Sequence, residues 1–261
     1  MIIVQPLGGL CNRMRVIVGA ISLAQKMRKE LTIIWTQDAT LNARFSDLFE
    51  PIPYKMVECP LDSWRYKALY HWYKDVKHCM ILDDQWISAN ARGKDYDTWK
   101  AKIESSNLFL LINLDILFDG DYTVLKPKMS VIKALNNVNC DHNTIGLHIR
   151  RTDNANAVKY SPTSLFYAKV EEELKVNPQM KFYLATDDPN EEKTFIDRFG
   201  ESIIIYQKHS LDRNNPIAIK DALVDLYNLS HCSKIFGSYW SSFSDTAALW
   251  SGIEKIELRI N

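Results

Sequence analysis

The stretch Thr144-Ile145-Gly146-Leu147-His148-Ile149-Arg150-Arg151-Thr152-Asp153 decides the fold. Its first six residues are a short apolar, β-rich run and read as a strand; the polar residues after them read as the loop where that strand ends. The same pattern recurs downstream. KFYLAT (181–186), SIIIY (202–206), KIFG (234–237) and KIELRI (255–260) read as strands, and 164–174, 189–199, 217–230 and 242–250 carry helical apolar spacing between them. Strands alternating with helices predict a parallel sheet covered by helices, a Rossmann-like lobe.

The N-terminal half opens in the same way, with strand IIVQ (2–5), a Gly8-Gly9 turn, a helix over about 12–28 and strand LTIIW (31–35). Beyond it, residues 36–105 are rich in Trp and Tyr with few clear periods, so irregular structure and short helices are expected there. LFLLINL (108–114) reads as a further strand, and 126–139, with Pro127 at a helix start, as the linker region. The fold class is therefore α/β with two Rossmann-like lobes, 1–139 and 140–261.

Composition narrows the function classes. Hydrophobic residues make up 46% of the 261 and charged ones 25%, a mix that buries a core and argues against disorder. Lys and Arg number 32, as do Asp and Glu, so no overall field favours nucleic acid or an anionic membrane, and any anion site must be local. The opening MIIVQPLGG has no basic region before an apolar run, and no apolar stretch suits a transmembrane segment; a soluble cytoplasmic protein is expected. Cys11, Cys59, Cys79, Cys140 and Cys232 are scattered and never paired at zinc or redox spacing, which predicts reduced, mostly buried thiols.

Four segments carry candidate chemistry, each where a strand ends. In Gly8-Gly9-Leu10-Cys11-Asn12-Arg13-Met14-Arg15, glycine lets the backbone approach a ligand while helix N–H groups attract phosphate or a sugar hydroxyl. The alternative is a tight turn that needs glycine for steric reasons alone. The segment is neither GxGxxG nor a P-loop, which removes the main support for ATPase or GTPase chemistry. In the His148–Asp153 run, His148 and Arg150 share one strand face and Arg151 takes the other, unless the strand has already ended. One arginine can clamp a diphosphate and the other can pair with Asp153, or both can belong to a surface ion-pair network. In Thr186-Asp187-Asp188-Pro189, a carboxylate either caps the next helix or accepts from the paired N–H donors of guanine. In Gly237-Ser238-Tyr239-Trp240-Ser241-Ser242-Phe243-Ser244, hydroxyls and helix N–H groups make a phosphate cradle. The plain alternative, an N-cap by Ser241 or Ser242, needs a single serine, and the segment holds four.

In this order, GGxxNRxR, HxRRTD, a strand ending in TDDP and then GSxxSSFS, the segments resemble the fucosyltransferase superfamily with the GT-B fold, which includes α1,2-, α1,6- and protein O-fucosyltransferases. HIRRTD is most similar to the α1,6 enzymes; the GGLCN opening and SSFS look closer to the α1,2 and O-fucosyl branches. Residues 51–140 carry none of the resemblance. It implies two lobes facing each other across a cleft, the first on the acceptor side and the second holding a GDP-sugar. It implies transfer of fucose from GDP-fucose to a glycan acceptor with inversion, with the donor as substrate and no cofactor or metal. Residue by residue, it gives Arg150 the β-phosphate, His148 the nucleotide, Arg151 and Asp153 the loop or sugar, Asp187 the guanine, Ser242, Phe243 and Ser244 the diphosphate, and Asn12 beside Gly9 the sugar-phosphate. The α1,6 enzymes carry a carboxylate a few residues beyond RRTD, whereas 154–160 here contains none, leaving Asp153 as the nearest candidate base.

Three rival readings stand beside this one. Asp119-Gly120-Asp121 matches the DxD of metal-dependent glycosyltransferases and also a common turn. The missing carboxylate suits a nucleotide-sugar-binding protein without turnover. Nothing in the sequence distinguishes fucose from the sugar of another GDP-sugar.

Overall fold

The computed structural model describes all residues except 92–93, 113–119, 136–139, 141–142, 153 and 261. The first half runs β1 (Ile2–Pro6), α1 (Leu10–Met27), β2 (Leu31–Gln37), α2 (Phe45–Leu48), β3 (Lys55–Pro60), α3 (Trp64–His71), β4 (Met80–Asp83), α4 (Asp84–Asn90), α5 (Tyr96–Ile103) and β5 (Leu108–Ile112). The second half runs α6 (Met129–Leu135), β6 (Thr144–Ile149), α7 (Ala155–Tyr160), α8 (Thr163–Val176), β7 (Lys181–Thr186), α9 (Pro189–Phe199), β8 (Ile203–Ile204), α10 (Pro216–Ser230), β9 (Lys234–Ser238), α11 (Ser242–Ser251) and β10 (Glu254–Leu258).

Each half builds one five-stranded parallel sheet, with order β3-β2-β1-β5-β4 in the first and β10-β9-β6-β7-β8 in the second. The central strands are buried throughout, five of five residues in β1 and six of six in β6, as expected of parallel strands covered on both faces. In the second sheet Ile145, Leu147, Ile149, Phe182, Leu184 and Phe236 pack on Phe166 and Val170 of α8 and Phe195 of α9. This is the mixed α/β architecture expected, two Rossmann-like sheets in one chain.

The chain divides into two compact units, Met1–Lys128 with Asp212–Ile219, and Met129–Leu211 with Lys220–Asn261. The division falls inside 126–139, and α6 goes with the second unit. The excursion at 212–219 has no local signature, because what fixes it is distant in sequence: Asn42 donates from its backbone to the Arg213 carbonyl at 3.3 Å and from its side chain to the Asn214 carbonyl at 2.9 Å.

Residues 36–105 correct the expectation of irregular structure and short helices alone. They supply β3 and β4, which complete the first sheet on either side. Neither has a readable period, since β4 is four residues long and β3 is a half-exposed edge strand ending in Pro60. The aromatic residues between Trp64 and Tyr73 divide between core and surface. Tyr66, Leu69, Tyr70 and Tyr73 pack on Ile3, Ile34 and Phe109, whereas Trp64 remains 81% exposed. The run SIIIY contributes only Ile203–Ile204 as strand, and 113–114 of LFLLINL lie outside the described residues. The five cysteines are free, and all but Cys140 are buried.

Candidate functional site

In the second sheet the chain builds β6, β7 and β8 outward and then returns to place β9 on the other side of β6. That reversal opens the carboxyl ends of β6 and β9 to a ligand, the position open α/β sheets favour. His148 and Arg150 lie there from β6, Asp187 from β7, and the serine-rich turn from β9.

Arg150 is held from both sides. Its backbone N–H donates to Ser238 Oγ at 3.0 Å, tying β6 to β9, and its guanidinium meets Asp187 Oδ2 at 2.9 Å. Asp187 also accepts from Arg151 N–H at 2.8 Å, Thr152 N–H at 3.2 Å and the Thr152 hydroxyl. Burial works to raise the pKa of this carboxyl, but Arg150, the Thr152 hydroxyl and the two N–H groups overcome it and hold it below its ordinary range. Asp187 thus braces the loop after β6. Asp188 takes the capping role, accepting from Asn190 N–H at 2.8 Å at the start of α9.

β6 ends at Ile149, so strand alternation does not govern Arg151, whose side chain turns to α9. It bonds Glu191 Oε1 at 2.7 Å, Thr163 Oγ1 at 2.9 Å and the Arg150 carbonyl at 2.9 Å. Its counter-ion is Glu191 on α9, a residue no motif singled out. Asp153, the candidate base, lies outside the described residues, as does Asp119 of the DxD reading. Asp121 accepts from the backbone and hydroxyl of Thr123, the arrangement of an ordinary turn. Among the described residues, no group of three or more His, Cys, Asp or Glu is placed to hold a metal ion.

His148 is 4% exposed, and its ring stacks on Phe243 with centroids 4.9 Å apart. Burial, and next the charge of Arg150, push its pKa down to about 3, so it is a neutral imidazole at physiological pH. Its buried Nδ1 has no hydrogen-bond partner among the described residues. Beside it, α11 begins without a side-chain cap from Ser241. The first turn of the helix holds Ser242 and Phe243, both half-buried, and Asp245, whose carboxylate is paired with Lys255 at 2.5 Å. The Ser244 hydroxyl is fully buried and donates to the Ser241 carbonyl at 3.3 Å. Ser244 is thus enclosed, whereas Ser242 and Phe243 of the same turn are half-buried.

Two further features escaped the motif reading. Asn154 caps α7 through Ala157 N–H and donates to the Trp240 carbonyl at 2.8 Å, stitching the β6 and β9 loops together. Trp240 holds a left-handed backbone at φ 54° and is 67% exposed. For a bulky residue that conformation costs about 1–3 kcal/mol and collects at functional turns.

The first unit carries Gly9 and Asn12 at the equivalent junction, after β1 and at the start of α1. Gly8 needs its left-handed φ of 77° to make the turn. Gly9 does not, because its φ is −73° and a Cβ built there meets nothing within 4 Å. The steric reason for glycine therefore applies to Gly8 and not to Gly9. Arg13 is fully buried, with its guanidinium on Asp38 at 2.6 Å, the Gly8 carbonyl at 2.7 Å and the Thr36 carbonyl. It braces this loop from within.

No protein-family model matches the chain, and no curated protein sequence matches it significantly. Solved structures do. A NodZ alpha-1,6-fucosyltransferase soaked with GDP-fucose aligns over 95% of this chain and 92% of its own at TM-score 0.62 and 16% identity. NodZ from Bradyrhizobium aligns over 94% and 92% at TM-score 0.60 and 15% identity. POFUT1 in complex with GDP aligns over 99% and 98% at TM-score 0.57 and 10% identity. The fold is that of the GT-B fucosyltransferases, as the sequence resemblance implied. Among the described residues no helix is long and apolar enough to cross a membrane.

Proposed function

We propose that this protein transfers fucose from GDP-fucose to a glycan acceptor, with inversion at the anomeric carbon. One arrangement supports the reading: Arg150, paired with Asp187, and His148, stacked on Phe243 at the uncapped start of α11, lie together at the carboxyl end of β6. An acceptor oxygen attacks C1, the C1–O bond to the β-phosphate breaks, and its electron pair leaves with GDP. Arg150 and the N–H groups of Ser242, Phe243 and Ser244 stabilise the charge that grows on the phosphate, with His148 as a neutral partner to the nucleotide. Asp187 and Arg151 position Arg150 and the loop; Gly9 and Asn12 contact the sugar-phosphate. The acceptor proton goes to Asp153 or to the departing phosphate. These donors supply the charge stabilisation without a metal ion, and a cytoplasmic location fits the reduced cysteines.

The test is release of GDP from GDP-fucose across a panel of glycan acceptors, with and without EDTA. Turnover resistant to chelation supports the reading, whereas restoration by Mn²⁺ after chelation favours the DxD alternative. Thermal-shift comparison of GDP-fucose with GDP-mannose decides the donor sugar, equal stabilisation counting against fucose. The absence of a carboxylate over 154–160 favours a second reading, a nucleotide-sugar-binding protein without turnover. GDP binding with no GDP release from GDP-fucose on any acceptor decides for it.

A further inference from the structure

In the first unit, the carboxyl ends of β2 and β3 open into a pocket of about 460 Å³ lined by Gln37, Arg44, Glu58, Cys59, Ser63 and Arg65. The volume falls in the range that takes a small-molecule ligand. Two of its lining side chains, Arg44 and Arg65, are cationic and one, Glu58, is anionic. Glu58 is occupied, accepting from Ser46 N–H at 2.7 Å and from the Ser46 hydroxyl at 2.8 Å. Arg44 and Arg65 make no ion pair or side-chain hydrogen bond among the described residues. Arg65 also sits in the first turn of α3, a turn with no acidic residue, where the helix dipole already favours an anion over a cation. Two guanidiniums against one carboxylate leave the concavity with a net positive charge, which favours a ligand bearing a negative group. Immediately before Arg65, Trp64 leaves 81% of its surface in solvent, while the tyrosines of the same helix turn into the core. Trp64 lies in sequence between the lining residues Ser63 and Arg65, and an exposed indole is a stacking platform for a flat-faced ligand such as a sugar ring.

We propose that this pocket is an acceptor subsite for an anionic sugar, one bearing a carboxylate, sulfate or phosphate that Arg44 and Arg65 bind while Trp64 stacks the ring. The assignment of the occupant as acceptor rests on the transferase reading; the charge and aromatic arguments do not. The site selects charged glycans over neutral ones of the same length, and its affinity falls with ionic strength because the two arginines are exposed.

The test is calorimetric titration of the full chain with a hyaluronan tetrasaccharide, which carries carboxylates, against neutral chitotetraose, with inorganic phosphate as a third ligand and GDP as a control. The hyaluronan fragment is expected to bind about tenfold or more tightly than chitotetraose and to lose about tenfold in R44A/R65A, the difference expected when charge-assisted contacts are removed. Trp64→Ala should weaken both tetrasaccharides and leave phosphate unchanged. GDP binding should be the same in wild type and in every variant. Equal affinity for the two tetrasaccharides, or an affinity for hyaluronan untouched by R44A/R65A, overturns the proposal. Phosphate binding as tightly as the tetrasaccharide overturns its sugar component. Failure of GDP to bind refutes the transferase reading separately, since none of the pocket measurements depends on it.

Discussion

Replacing Arg150 with alanine separates a catalytic role from a structural one, because the structure assigns each a different size. If the guanidinium meets a developing phosphate charge, its loss costs the transition state about 2.7–4 kcal/mol, or about 10²- to 10³-fold in kcat. Its structural partner is Asp187, in a pair whose side chains are 20% and 16% exposed, so a solvent-screened contribution of about 1 kcal/mol is the relevant scale. Asp187 is not orphaned by the change, because two backbone N–H groups and the Thr152 hydroxyl still bind it. At about 2–4 °C per kcal/mol, Tm should fall by only a few degrees. The assay is initial-rate GDP release from GDP-fucose at saturating donor, alongside a thermal melt of the same preparation. Arg150→Lys should fail nearly as badly, since a point charge cannot grip two oxygens at once. Activity within tenfold of wild type would falsify the catalytic assignment, and a collapse of Tm by tens of degrees would show Arg150 to be a structural arginine.

Removing Arg13 should act on stability instead: with Asp38 and two carbonyls left behind, Arg13→Ala should cost about 3–5 kcal/mol in chemical denaturation, and a loss under 1 kcal/mol would show that the brace is idle. Because the folded-state pKa of His148, about 3, lies below its unfolded value of about 6.5, the protein takes up this proton only on unfolding. Its contribution is full above pH 6.5 and falls by about 1.4 kcal/mol for each pH unit below that down to pH 3; a denaturation series on His148→Gln should lack this slope. Gly9→Ala should leave Tm unchanged, since a Cβ there meets nothing, and raise the KM for GDP-fucose; an unaltered KM refutes ligand contact at Gly9. Trp240→Gly should raise Tm by relieving the left-handed backbone, and a lowered Tm would mean that the indole contributes more than the strain costs.

The second sheet was legible because its strands are apolar runs of five or six residues set between amphipathic helices. The same logic failed at β3 and β4, where an exposed edge and a four-residue length erase the period. At the site, sequence order placed Arg150 and the start of α11 at neighbouring strand ends, since all five strands run parallel. What it left open was the pairing. Whether Arg151 turns to Asp153 or to Glu191, and whether Asp187 faces a base or the loop, depends on side-chain reach across strands distant in sequence. Trp240 gave no signal at all, because a left-handed backbone at a non-glycine residue follows from the surrounding fold and not from local preference.

The two units solve one mechanical problem with opposite charges. A loop that offers backbone N–H groups to an anion must be rigid, yet the atoms that rigidify it must not consume those N–H groups. In the first unit a buried cation does this: Arg13 gathers the Gly8 and Thr36 carbonyls and Asp38, so the bracing uses acceptors, and Gly9 begins α1 without a side-chain cap. In the second a carboxylate does it. Asp187 takes the N–H groups of Arg151 and Thr152, on the loop after β6, and leaves to the neighbouring α11 an uncapped first turn. On the transferase reading proposed above, the β6 loop would contribute a side-chain cation held in place by its carboxylate, and the β9 loop backbone donors. Asp187→Asn tests that division, because the amide keeps the shape of the brace and removes its charge. Its effect should appear in kcat through a less firmly held Arg150, with little change in GDP affinity, whereas equal losses in both would mean that Asp187 touches the nucleotide itself.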